Sequence, residues 1–128
     1  MIDWDKEDDE QLLIAARGDA DAFSAFYRRY ETAVLLYFRR RLGSELAADL
    51  TAEVFAAVLI SLPRYRPGEA PPQAWLFGIA RHKLASSQRR RVVEDNARRR
   101  LRMAPLVLAG EDLERIDGID SDSALSLR

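Results

Sequence analysis

The sequence contains no cysteine and only one histidine, His82, in 128 residues. Without cysteine the chain can form no disulfide, no thiolate zinc site and no cysteine nucleophile. One histidine cannot supply a metal site built from several imidazoles. These absences exclude the disulfide-rich class and the thiolate zinc modules, and they fit a protein that stays in a reducing compartment.

Long apolar runs and a targeting segment are also missing. No apolar run approaches the roughly 20 residues that span a bilayer. The first ten residues carry six acids, unlike the basic start of a signal peptide. We therefore expect a soluble cytoplasmic protein without membrane insertion. Its length is close to the roughly 150 residues of one typical domain.

Sequence signatures of catalysis are absent as well. The chain has no glycine-rich phosphate loop and no GxSxG nucleophile elbow. Asp49 and Glu53 lie four residues apart and share a helix face, as a catalytic carboxylate pair would. No histidine or lysine lies near them in sequence, and such spacing is common on amphipathic helices. We predict that the protein is not an enzyme and uses no metal or cofactor.

The charge is balanced overall but segregated along the chain. The net charge is −1, yet residues 1–21 hold eight acids and two bases, and residues 81–102 hold nine bases and two acids. Residues 111–122 are acidic again. A basic block between acidic ones indicates a polyanionic partner, and arginine, which makes up 18 of the 20 bases, suits bidentate phosphate contact. The alternative for any one arginine run is an ordinary solvated helix face.

The hydrophobic periodicity is helical, and strand alternation is absent. It predicts helices over 10–17, 22–42, 45–62 and 73–91, the last continuing to about residue 103. Expected N-caps are Asp8 or Asp9, then Asp21, then Ser44. Four of the five prolines fall in residues 63–72, which predicts a stiff loop.

These elements predict an all-α fold, a compact bundle of about four helices with a flexible acidic C-terminal tail. The expected organisation is an acidic N-terminal segment at 1–8, a helical domain at 9–103 and a linker or tail at 104–128. The tail follows from the acidic, Ser- and Asp-rich composition after Gly110.

The fourth helix has two contrasting sides when its residues are placed at 100° intervals. The apolar side is expected to pack on the other helices, and it holds Trp75, Leu76, Ile79, Ala80 and Lys83. The other side suits contacts with phosphates and base edges, and small Ala85 is expected to leave room for close approach. That side holds Arg81, His82, Ala85, Gln88 and Arg89. The alternative is that this side is an ordinary solvent-exposed helix face with no binding role.

The proline loop places Tyr65 between Arg64 and Arg66. An aromatic ring between two cations can stack a base while the cations hold its phosphates. Equally, Tyr65 can be a plug that folds back onto the bundle. The sequence leaves both interpretations open.

Six segments occur in a specific order: DEQLL at 9–13, GDADAFSAFYRRY at 18–30, DLTAEVF at 49–55, LPRY at 62–65, AWLFGIAR at 74–81 and RRR at 89–91. Together they resemble region 2 of sigma-70 family factors, most closely the extracytoplasmic-function group, over about residues 8–92. The resemblance implies an all-helical domain that binds the clamp coiled coil of the RNA polymerase β′ subunit. It also implies recognition and melting of the promoter minus-ten element, whose non-template strand the domain holds, and an anti-sigma factor as a further partner.

The resemblance also implies roles for individual positions. The polymerase-binding surface corresponds to Asp49, Leu50, Glu53 and Phe55. The loop 63–72 corresponds to the specificity loop, which captures a flipped base, and the helix 81–91 to the strand-reading helix. The DNA-binding residues are then Arg64, Tyr65, Arg66, Gln73, Arg81, His82, Ser86, Arg89 and Arg90.

The chain departs from the family pattern in several places. His82 stands where Asn is usual and Ser86 where Asp is usual, which changes the donor pattern of the reading face. Ala52 replaces the common Gln before Glu53, which removes one polar contact to polymerase. Nothing after Leu113 resembles region 4, the second DNA-reading domain. We expect a shortened form of a longer factor; the alternative is a natural short factor that relies on a separate partner.

A competing function is a helical adaptor that binds acidic protein partners through its arginine faces and never contacts DNA.

A further hypothesis concerns the acidic N-terminal block. It is that the acids at the start of the chain screen the basic face until polymerase is bound.

Overall fold

The computed structural model describes residues 1–102, which form four α-helices and two short 3₁₀ turns with no strand among them. The helices are α1 (Asp9–Ala16), α2 (Ala20–Leu42), α3 (Ser44–Ser61) and α4 (Pro72–Arg102), and the turns are Trp4–Lys6 and Leu62–Arg64. The all-α prediction with four helices is confirmed, and α4 continues to Arg102 as expected. The predicted flexible acidic tail, 104–128, lies outside the described residues.

The chain divides into two compact units, and the boundary falls inside α4. The first unit is Met1–Ala80, and the second begins at Arg81. The first unit contains α1, α2, α3, the proline loop and the first turns of α4. The predicted domain limits at residues 8 and 103 stay predictions.

The first helices begin at side-chain caps. The Asp8 carboxylate accepts a hydrogen bond from the Gln11 N–H at 2.8 Å, which confirms one of the two predicted caps of α1. The predicted cap of α2 is wrong, because Asp19 takes that position and accepts from the Asp21 N–H at 2.8 Å. Asp19 comes directly after Gly18, so the chain turns and restarts as a helix two residues earlier than the periodicity indicated.

The junction between α2 and α3 is tighter than the sequence predicts. Gly43 has a φ of 84°, a conformation that costs glycine little because it has no Cβ. This one residue both ends α2 and precedes the first residue of α3. Ser44 is therefore already helical and makes no capping hydrogen bond, so its predicted role as the cap of α3 is wrong.

Helices α2 and α3 are joined by a cluster of aromatic rings. The ring of Phe55 on α3 lies 4.8 Å from Tyr27 and 6.5 Å from both Phe23 and Phe26, centroid to centroid, in edge-to-face geometry. Such ring pairs contribute roughly 0.5–1.5 kcal/mol beyond the area they bury. Phe26 and Phe55 are buried, so this cluster anchors the core between the two helices.

Helix α3 is strongly apolar along most of its length. By length and composition alone, the segment Ser44–Arg64 meets the criteria for a membrane span, although the sequence expectation was that no apolar run comes close to one. Core helices of soluble proteins meet the same criteria. Val54, Phe55 and Val58 of this segment are buried, so one face of α3 contributes to the core of this unit.

The acidic N-terminal segment lies against α2. The Arg29 guanidinium bonds the Asp9 carboxylate at 2.8 Å and the backbone carbonyls of Glu7 and Asp5 at 2.9 and 3.0 Å. The Tyr30 hydroxyl donates to Asp9, and burial together with this hydrogen bond raises the pKa of Tyr30 to about 12. The observed ionic partners of this segment thus include α2, and its proposed screening of the basic face stays a hypothesis.

Candidate nucleic-acid interface

The backbone of the loop between α3 and α4 is held by two side chains, one from α1 and one from Arg17, the residue that directly follows α1. Arg17 Nε donates to the Leu62 carbonyl at 3.1 Å, and a second guanidinium nitrogen of Arg17 donates to the Tyr65 carbonyl. Further along, the Gly68 N–H donates to the Glu10 carboxylate at 3.1 Å. Gly68 has a φ of 88°, which lets the chain turn there at little cost.

Tyr65 is turned inward. Its side chain is only 3% exposed, and its ring lies 5.1 Å from that of Trp75 at a tilt of 58°. The hydroxyl oxygen is buried, with no hydrogen-bond partner among the described residues. Burial raises the pKa of Tyr65. This geometry favours the plug interpretation, since the ring has no open face for a base, and the predicted DNA contact of Tyr65 stays a prediction.

The outer side of the same loop is open and basic. A concavity of about 640 Å³ is lined by Pro63, Arg64, Tyr65, Arg66 and Pro67. Arg64 and Arg66 are exposed on either side of the buried tyrosine. Gln73, in the first turn of α4, is exposed as well. The structure thus places three of the four predicted DNA contacts of the first unit at the surface.

In the second unit, the predicted contacts follow one stretch of α4. Arg81, His82 and Arg90 are exposed, whereas Ser86 and Arg89 are half-buried. A shallow groove of about 430 Å³ runs along Ser86, Arg89, Arg90, Val93 and Glu94. The predicted cations and His82 are therefore accessible on this stretch.

Ala85 corrects the predicted reading face. It is 0% exposed, so it leaves no opening for close approach. Gln88 is half-buried with its Oε1 atom enclosed, so its expected exposure is also wrong. Leu84, left out of both predicted sides, is buried.

Further along α4, two arginines contact side chains of the same helix. Arg98 pairs with Asp95, and Arg99 donates to Asn96, each three residues away. These contacts agree with the alternative interpretation of an arginine run, a solvated helix face whose side chains pair with residues of the same helix.

The predicted polymerase-binding residues divide between surface and core. Asp49 is exposed and Glu53 is half-buried. Leu50 and Phe55 are only 2% and 3% exposed, so they hold α3 in place and present no surface to a partner. Asp49 and Glu53 are four residues apart, so they share one face of α3. Leu50 and Phe55 follow Asp49 by one and six residues, so they lie on other faces of the helix.

Sequence reasoning overlooked an exposed apolar pair at the end of α3. Leu59 is 48% exposed and Ile60 is 73% exposed. The signal was present in the run Val58-Leu59-Ile60, because successive residues of a helix are 100° apart and cannot all face the core. It also overlooked Glu10 and Arg17, whose loop contacts join residues 45 to 58 positions apart. Among residues 1–102, no group of three or more acidic or histidine side chains is placed to hold a metal.

Comparison with known proteins identifies one family over most of this region. The family model described as sigma-70 region 2 matches residues 26–93. The chain is 37% identical over 94 residues to the ECF RNA polymerase sigma factor ShbA of Streptomyces griseus, a match that covers 64% of this chain and 49% of that protein. It is 40% identical over 86 residues to the ECF RNA polymerase sigma factor SigD of Mycobacterium tuberculosis, covering 63% and 41%. The chain therefore spans about half or less of the length of these relatives. No solved structure matches it significantly.

Proposed function

The chain belongs to the sigma-70 region 2 family, in its extracytoplasmic-function form, and from this premise we propose that it is the domain of a sigma factor that binds core RNA polymerase and recognises and melts the promoter minus-ten element. In this proposal the protein binds polymerase and promoter DNA in the cytoplasm. The observation that carries the proposal is the open concavity of the proline loop, flanked by exposed Arg64 and Arg66. The sigma-70 family is not a family of enzymes, and this function needs no catalytic group.

The loop is suited to a single extruded base. Its concavity of about 640 Å³ lies within the 300–1,000 Å³ typical of clefts that enclose small molecules. Two guanidiniums at its edge can bond the phosphates on either side of the base. A base inside a duplex cannot enter such a concavity, so the loop binds melted DNA in preference to closed DNA.

The exposed part of α4 in the second unit suits a single strand of DNA. Arg81, Arg89 and Arg90 supply positive charge for backbone phosphates, and His82 offers an imidazole to base edges. In this proposal His82, which replaces the usual Asn, and Ser86, which replaces the usual Asp, set a promoter preference that differs from that of typical family members.

The energetics favour melting by capture. Extruding a base costs a few kcal/mol of stacking and pairing. The domain offsets that cost only through contacts that exist with the single-stranded product, such as the loop concavity. Phosphate contacts alone would stabilise closed and open DNA alike, so the loop supplies the selectivity for the open state.

Two acids of α3, exposed Asp49 and half-buried Glu53, form the proposed polymerase surface. Asp49 and Glu53 lie one helical turn apart and face the β′ clamp coiled coil in this proposal. The neighbouring Leu59 and Ile60 add apolar area at the end of the helix. An anti-sigma factor that covers this surface would block polymerase binding, and we include such a partner in the proposal.

Co-purification with core RNA polymerase tests the proposal. The tagged chain should retain core polymerase, and Glu53→Arg should abolish retention by reversing a charge at the contact. Glu31→Arg on α2 makes the same charge reversal elsewhere and should bind normally. A wild-type chain that ignores core polymerase but retains an acidic protein would replace this function with that of a helical adaptor.

A further inference from the structure

Helix α1 reaches the proline loop at two separated points. Arg17, just beyond the C-terminal end of α1, bonds the carbonyls of Leu62 and Tyr65, which bracket the 3₁₀ turn Leu62–Arg64. Glu10, in the first turn of α1, accepts from the Gly68 N–H at 3.1 Å. These two side chains are seven residues apart, or about 10 Å along a helix. One rigid element therefore holds both the start and the middle of the loop.

The loop has few means of fixing its own shape. Pro63 and Pro67 lack an N–H, so they cannot donate hydrogen bonds. Its internal backbone bonds include Tyr65 N–H to the Leu62 carbonyl at 3.1 Å and Glu69 N–H to the Arg66 carbonyl at 3.3 Å. Each of these closes a single turn and leaves the turns unconstrained relative to each other. The bonds from α1 supply that missing constraint.

The same contacts control which way the loop arginines point. Arg17 donates a hydrogen bond to the Tyr65 carbonyl, and the Trp75 ring packs against the Tyr65 ring. With Tyr65 fixed inward, Arg64 and Arg66 on either side are directed to solvent, where both are exposed. The outline of the concavity thus depends on an anchor outside the loop.

The Arg17 side chain is well matched to this task. Its planar guanidinium presents several N–H donors in a fixed arrangement, so it can bond two carbonyls at once. Hydrogen bonds from a charged donor are stronger than those between neutral groups. Lysine carries the same charge but has no rigid fork, so it should hold the two carbonyls less well.

We propose that Arg17 and Glu10 are positioning residues that preset the loop for one base, so that α1 determines base preference without contacting DNA. This inference rests on the proposed function, in which the loop accepts an extruded base. A preformed concavity discriminates better than one that must order on binding. The arginines of α4 should hold phosphates whether or not α1 holds the loop.

The test uses the full chain bound to core RNA polymerase and a pool of random-sequence single-stranded DNA. Wild-type protein should enrich particular bases at several positions of the retained strands. Arg17→Met should lower enrichment about tenfold at one position, as expected for loss of a charge-assisted hydrogen bond, and should leave total retention unchanged. Glu10→Gln should act at the same position, and Arg17→Lys should restore part of the preference. Arg28→Met, which removes an exposed arginine from α2, should match wild type.

Two results would overturn the inference while the proposed function stands. One is an Arg17→Met profile identical to wild type. The other is an equal loss at every position, which would mean a general structural role. If the wild-type complex enriches no base beyond core polymerase alone, the proposed function fails instead.

A second readout tests the anchor without DNA. In a Trp4→Phe background, Trp75 is the only tryptophan of the chain. Arg17→Met should make Trp75 more accessible to acrylamide quenching, because Tyr65 is no longer held over it. Unchanged quenching would show that α1 does not position the loop.

Discussion

The buried hydroxyl of Tyr65 gives a prediction that separates the two roles proposed for this residue. The side chain is 3% exposed, and its oxygen has no hydrogen-bond partner in the described part of the chain. A buried polar group without a partner costs roughly 1–3 kcal/mol. Tyr65→Phe removes that cost and keeps the ring against Trp75. We therefore expect the variant to be more stable than wild type by about 1 kcal/mol.

The magnitude is measurable by thermal or urea denaturation. For a chain of 128 residues, 1 kcal/mol shifts the midpoint of thermal unfolding by roughly 4 °C. The slope of the free energy of unfolding against urea should stay the same, because the surface exposed on unfolding is unchanged. A Tyr65→Phe variant that is less stable than wild type by 1 kcal/mol or more would refute the reasoning, since the hydroxyl would then have a favourable contact.

Truncation of the same residue distinguishes a plug from a stacking platform. If Tyr65 is a plug, Tyr65→Ala should destabilise the fold by about 3–5 kcal/mol, as truncation of a buried aromatic does. If it stacks a base, the loss should appear as roughly 1–3 kcal/mol in single-stranded DNA affinity, with little change in stability. Arg64→Ala is the matched control for DNA. It is exposed, so it should weaken DNA binding and change stability by less than about 0.5 kcal/mol.

Three further predictions concern the core, the N-terminal segment and the basic surface. Phe55→Ala should destabilise the chain by about 3–5 kcal/mol in urea unfolding, whereas Leu59→Ala should change it by less than about 1 kcal/mol; equal effects would contradict the assigned burial. The raised pKa of Tyr30 means that its hydrogen bond to Asp9 stabilises the fold fully below about pH 10 and that this stability is lost as pH rises through about 12. Tyr30→Phe should remove that alkaline loss, and an unchanged pH profile would refute it. With five arginines at the proposed DNA surface, log K for single-stranded DNA should fall with log salt at a slope of about −3.5, and a slope near zero would exclude phosphate binding.

The helices could be predicted because their signals are local. Apolar spacing of three and four residues located all four helices, and the cap of α1 was narrowed to Asp8 or Asp9 by their position before the first turn. The first residues of the helices were predicted less well. The N-cap must have an extended backbone, and the preceding turn decides which of two nearby residues has it. Asp19 and Asp21 have the same chemistry, and only the position of the Gly18 turn decides between them.

The candidate site was harder to predict because its parts are not neighbours in sequence. The family resemblance assigned functional roles to α3, and spacing together with the resemblance assigned them to α4, but neither separated the faces of these helices fully. Leu50 and Phe55 are core residues within a motif whose acids lie at the surface, and Ala85 is covered by the fold. The contacts from Arg17 had no sequence signal at all, since a guanidinium that bonds backbone carbonyls places no requirement on the side chains of its partners.

The structure also changes what the arginine content means. Eighteen arginines suggest a large phosphate-binding capacity, but many of them have partners within the chain. Arg17 holds the loop, Arg29 holds the N-terminal segment, and Arg41 lies 3.8 Å above the Tyr37 ring. The arginines at the proposed DNA surface are five: Arg64, Arg66, Arg81, Arg89 and Arg90. Because only a contact with phosphate releases counterions, the salt dependence should follow these five and not the total. Arg90→Gln should therefore reduce the slope by about 0.7, and Arg28→Gln on α2 should leave it unchanged.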